Sequence, residues 1–80
     1  SASVAIIRMK KVGYIDQSGQ YAIETAVLDL KAKGVEVYFS MVGEQPMKML
    51  RAIKLFPDLV PESNAFASFK DCAEFLKNRS

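Results

Sequence analysis

The chain has 80 residues, half of them hydrophobic and a quarter charged, with a net charge of +2, one cysteine and no histidine. This is one small domain at most, burying roughly 60 % of its unfolded surface, and its mild charge, with no dense Lys/Arg run or interleaved aromatics, does not call for nucleic acid. The absence of His and the lone Cys72 exclude a His-based triad, a zinc cage and an internal disulfide; a reducing compartment suits such a chain.

Nothing approaches the roughly 18 apolar residues of a membrane span. Val4 to Ile7 is too short for the apolar part of a signal peptide. Ser1-Ala2-Ser3 reads as an irregular start. Val4-Ala5-Ile6-Ile7 is then a continuous apolar run, which suits a strand covered on both faces in a parallel sheet.

A loop through Lys10-Lys11-Val12-Gly13 leads to Asp16-Gln17-Ser18-Gly19. From about Ser18 to Lys33 the apolar period is helical, with Ile23, Val27 and Leu30 inward and Ala22 and Ala26 widening that face. Gly34 ends the helix as a residue free to take positive φ. Val35 to Met41 alternates, which predicts a strand with Val35, Val37, Phe39 and Met41 on its buried face.

Pro46 suits the first position of a second helix. Met49, Leu50, Ile53 and Phe56 line its inner side, and Pro57 forces an exit. Asp58 to Ala67 is irregular, with a short extended piece near Leu59-Val60. Ser68 caps a last helix in a capping-box-like arrangement with Asp71, whose buried side is Phe69, Cys72, Ala73, Phe75 and Leu76. Two clear strands are too few for a stable sheet, so further strands are expected from elsewhere.

Three groups of residues could carry function. Ser18 stands where a helix leaves N–H groups unpaired. It serves there as a simple N-cap or as a phosphate site, two compatible readings, with Gly19 leaving the backbone open and Asp16 orienting the hydroxyl or repelling an added phosphate. Nucleophilic catalysis at Ser18 lacks a base, and the segment lacks the glycine spacing and Lys of a P-loop. Lys48, Arg51 and Lys54, spaced by three, form either a solvated face or a docking face for an acidic partner or anionic head groups. Met41, Met47 and Met49 fill the core or make an adaptable contact surface, and Cys72 reads as an inert buried thiol.

The runs "VAIIRMKKVGYIDQSG" and "KAKGVEVYFSMV", each followed by a helix, resemble the STAS domain. That domain is shared by bacterial anti-sigma-factor antagonists and the cytoplasmic tails of SulP anion transporters, the sulfate permeases and their relatives. Its signature is Asp-Ser-Ser-Gly or Asp-x-Ser/Thr-Gly at the mouth of a helix. Asp16, Ser18 and Gly19 match, while Gln17 replaces the first serine. In the antagonists the second serine is phosphorylated by an anti-sigma kinase, and Ser18 holds that position.

The run "IDQSGQYAIETAVLDLKAKGVEVYFSMV" and the tail "FPDLVPESNAFASFKDCAEFL" look more like the transporter branch. The resemblance extends from Val4 to Leu76. It implies an α/β fold of mainly parallel strands flanked by helices, here a single partial domain over residues 1–80 lacking its N-terminal strands.

It also implies a non-catalytic regulatory domain of a sulfate or other anion transporter, on the cytoplasmic side of the bacterial inner membrane. The loop Asp16, Gln17, Ser18 and Gly19 would bind a partner, with Ser18 phosphorylation or weak nucleotide binding and no other cofactor or metal. The partners implied are the transporter's membrane domain, an anti-sigma kinase or another cytoplasmic protein, and a second copy of the chain. The alternative is a free-standing antagonist switched by Ser18 phosphorylation.

Overall fold

The apolar run near the start becomes β1 (Ser3–Arg8), which pairs in parallel with β2 (Val35–Ser40), Ile6 opposite Tyr38 and Arg8 opposite Ser40. The structure, a computed structural model, describes residues 3–79, so the expected irregular start at Ser1 and Ala2 lies outside the described residues, while Ser3 already belongs to β1. Parallel strands need a long crossover, and α1 (Gln17–Ala32) supplies it. After β2 come α2 (Glu44–Ala52), an irregular turn (Leu55–Leu59), a single helical turn (Glu62–Asn64) and α3 (Phe69–Arg79). The result is an α/β arrangement, a two-stranded parallel sheet flanked by helices.

α1 stops where the sequence places its end. Gly34 takes φ +76°, and the Lys33 and Gly34 amides donate to the Leu30 and Lys31 carbonyls at 3.1 and 3.0 Å. Its buried stripe is narrower than the pattern predicts. Val27 is fully buried and Ile23 and Leu30 pack on the core, but Ala22 and Ala26 stay exposed.

β2 is buried on both faces rather than one. Val37 and Phe39 enter a core built with Met9, Ile15, Val27, Leu50, Leu55, Phe56 and Val60. Phe39 meets Phe56 edge to face, with ring centroids 5.3 Å apart. Burying such a side chain contributes roughly 1.5–3 kcal/mol. Tyr38 and Ser40 alternate to the other face, where α3 packs and the Phe75 ring lies 6.0 Å from Tyr38. The strand ends at Ser40, because Met41 takes φ 60°.

β1 departs from the expectation of a covered strand: Val4 is 41 % exposed. α3 lies against β2, and β1 pairs with β2 alone among the described residues. For the same reason Phe69 and Phe75, expected inside, are 39 % and 40 % exposed. Phe69 carries the Arg8 guanidinium 4.8 Å above its ring. The α3 cap itself is as expected, with Ser68 Oγ accepting the Asp71 amide at 3.1 Å.

Pro46 is the third residue of α2, after Gly43 as cap, and not the first. It is tolerated there because the first turn's N–H groups lack partners anyway. α2 ends at Ala52, short of Phe56. Phe56 is extended (φ −102°, ψ 129°), as the residue before a proline prefers. The expected strand at Leu59-Val60 does not form. The chain instead touches β2 at Ala65, bridged in parallel to Phe39, and the Phe66 amide donates to the Phe39 carbonyl at 2.9 Å. Asn64 Nδ2 donates to the Val37 carbonyl at 3.0 Å and holds this return in place.

Candidate functional site

The loop from β1 to α1 begins at the carboxyl end of the sheet, where parallel α/β folds place their sites. Met9 is buried, and its amide donates to the Ser40 carbonyl at 2.9 Å. Ile15 is buried too, and the Gln45 side chain brackets its backbone. Gln45 Oε1 accepts the Ile15 N–H at 2.8 Å, and Gln45 Nε2 donates to the Ile15 carbonyl at 3.3 Å. No local pattern marks Gln45 in the sequence, because its partners are backbone atoms 30 residues away.

The next residue turns the chain into α1. Asp16 is the N-cap, extended at φ −91° and ψ −179°, and its carboxylate accepts the Gly19 amide at 2.8 Å. Ser18 is therefore not the cap or the first residue of the helix; it is the second, after Gln17. Aspartate at residue 16 fits the cap geometry as well as a serine does, and the buried Ile15 fixes which of the two takes it. Ser18 is exposed, and its side chain makes no hydrogen bond among the described residues.

The glycine has a packing reason. A Cβ at Gly19 would lie 3.3 Å from Asp16 Oδ1 and 3.4 Å from Ile15 Cγ2. A side chain there would crowd the capping carboxylate, which would have to give by a few tenths of an ångström. Val12, Tyr14, Ile15, Asp16, Gly19, Ala22 and Ile23 line an open, mostly apolar groove of about 400 Å³ beside this turn. Tyr14 is 70 % exposed at its rim. The Asp16–Gly19 turn thus presents a hydroxyl, a carboxylate, unpaired helix-start amides and an apolar shelf together.

The three basic residues stay exposed but do not share one helix. Lys48 and Arg51 lie on α2, but Lys54 lies beyond its end in a left-handed conformation, φ 65°. Arg51 is paired with Glu62, through Nε at 2.8 Å and through Nη2. That ion pair spends the middle charge of the stripe on tying α2 to the return segment. Met47 and Met49 pack partly buried against the core, and Met41 is half-buried. Cys72 is a free, fully buried thiol, and burial pushes its pKa up. Among the described residues no group of His, Cys, Asp and Glu suits a metal ion, and no helix is long and apolar enough to cross a membrane.

Comparison with known proteins follows the same outline. The profile of the STAS domain family matches residues 2–72. Among solved structures, the chain is similar to a sulfate transporter family protein from Wolinella succinogenes. The TM-score is 0.85 at 22 % identity, covering 95 % of this chain and 62 % of that one. The likeness is one of fold, and this chain spans less than two thirds of that protein's chain. No curated protein matches.

Proposed function

Starting from a chain that belongs to the STAS domain family, we propose that it is the regulatory and interaction domain of a SulP-type anion transporter. In this reading it is non-catalytic, lies on the cytoplasmic face of the inner membrane, and acts through the Asp16–Gly19 turn. One observation carries the reading. Ser18 stands exposed in the first turn of α1, relieved of capping by Asp16 and set beside an apolar groove.

That arrangement separates folding from signalling. A phosphoryl group on Ser18 would sit near the positive end of the α1 dipole, which favours it, and near the Asp16 carboxylate, which opposes it. The fold would tolerate the charge while the surface presented to a partner becomes more negative. Unpaired amides at a helix start also suit weak binding of a nucleotide phosphate. The same features support the second reading, a free antagonist released from an anti-sigma kinase when Ser18 is phosphorylated.

Titration of the chain against the parent transporter's membrane domain, and separately against an anti-sigma kinase, tests both readings. Ser18→Asp should weaken binding to the true partner while leaving the fold unchanged. Equal affinity of wild type and variant for each partner would sink the switch. The coding sequence upstream separates the two readings. Repeated apolar spans of about 20 residues support the transporter, and an early start codon supports the antagonist.

A further inference from the structure

We infer that Gln45 is the positioning residue of the Asp16–Gly19 turn and so sets how Ser18 is presented. The inference rests on Ser18 being the contact point, since presentation matters only to something that engages it. Gln45 holds both peptide groups that flank the Ile15 Cα, accepting from the Ile15 N–H at 2.8 Å and donating to the Ile15 carbonyl at 3.3 Å. Two antiparallel hydrogen bonds to one residue fix its orientation as well as its place. Among the described residues no other hydrogen bond ties residues 13–15.

The consequence passes to the next residue. Asp16 must be extended to aim its carboxylate at the Gly19 amide. With Ile15 buried on its side-chain side and clamped on its backbone side, the entry to α1 has one path. Gln45 is itself steady. It is the second residue of α2, in the turn closed by the Met47 amide donating to the Gly43 carbonyl at 3.0 Å. The start of α2 is therefore the fixed reference for the start of α1. The chemistry is specific, because the clamp needs a donor and an acceptor on one planar group at glutamine's reach. Glutamate lacks the donor, and methionine fills the volume with neither.

Amide hydrogen exchange followed by NMR on wild type, Gln45→Met and Gln45→Glu tests this. Gln45→Met should speed exchange at Ile15 and Gly19 by at least about tenfold, while the amides of Phe39 and Cys72 stay as in wild type. Gln45→Glu keeps an acceptor for the Ile15 N–H and should fall between the two. Acceleration spread evenly over the whole chain would reduce Gln45 to a general stabiliser and overturn the inference. Unchanged exchange at Ile15 and Gly19 would overturn it as well. A selective result together with a Ser18 that engages nothing would fail the functional reading alone, so the two can be told apart.

Discussion

The Asp16 carboxylate accepts the Gly19 amide at 2.8 Å, and Ser18, one residue before Gly19, is left exposed with no structural duty. The first turn of α1 is closed by one side chain and offered to the outside by another.

Substitutions at the two positions should therefore behave differently. Asp16→Ala should lower stability by about 1 kcal/mol, the usual cost of losing a cap, and Asp16→Asn by far less. Ser18→Ala should stay within about 0.5 kcal/mol of wild type, as exposed positions do. Urea unfolding midpoints at constant slope report both. Equal losses at Asp16→Ala and Ser18→Ala would return the cap to Ser18.

The sequence was a good guide where a local pattern decides. The α1 helix with Gly34 at its end, a strand starting at Val35, and the Ser68 cap before Asp71 are all found where the residues predict them. It misled where distant contacts decide. α2 stops at Ala52, Lys54 turns left-handed at φ 65° and leaves the stripe, and Leu55 and Phe56 are both fully buried beyond the helix end. The return of the chain to β2 falls at Ala65, not near Leu59-Val60, and Arg51–Glu62 and Asn64–Val37 hold it there. At the site, the Asp-x-Ser-Gly pattern marked the right turn but left two residues eligible as cap, and the Gln45 clamp that fixes the turn has no local signature.

Ser40 offers a test of the face of β2 that meets α3. Its side chain is fully buried, and among the described residues its Oγ has no hydrogen-bond partner. A buried polar atom without a partner costs about 1–3 kcal/mol in lost hydration. Ser40→Ala removes that atom and little volume. Stability should be unchanged or higher by up to about 1 kcal/mol, read by thermal or urea unfolding. A clear loss would mean that the hydroxyl is satisfied after all.

Cys72 gives a dependence on pH. Burial raises its thiol pKa above the ordinary 9.0, so the folded chain keeps the proton after the unfolded chain has released it. Its contribution is fully present below the ordinary thiol range and is lost as pH climbs from that range towards the folded pKa. Wild type should therefore lose more stability than Cys72→Ala between about pH 7 and about pH 10. The control removes the thiol and leaves every tyrosine and lysine in place. A constant gap between the two proteins across that interval would show that the buried thiol titrates as it does unfolded. Slow alkylation of Cys72 in the native state, and fast alkylation in denaturant, should accompany the result.

The open edge of β1 carries a prediction about association. β1 reads Ser-Val-Ala-Ile-Ile-Arg and has neither the lysine nor the proline that natural edge strands use against pairing. Among the described residues only β2 pairs with it. Val4 within it is exposed, and on α3 Phe69 and Phe75 are each about two fifths exposed. A strand laid along this edge would satisfy unpaired N–H and C=O groups and cover apolar surface at roughly 25 cal/mol per Å². The 80-residue chain should therefore self-associate at micromolar concentration, by edge pairing or by exchanging elements with a second copy. Sedimentation measures this directly. Val4→Lys should shift the chain towards monomer without loss of helical circular dichroism, because a charge is placed where a neighbour would sit. If another segment of the same protein takes the edge instead, a longer version carrying that segment is monomeric while the 80-residue chain is not. A well-folded, strictly monomeric 80-residue chain would show that the two strands need no neighbour, and the exposed apolar edge would then have to be stable in water as it stands.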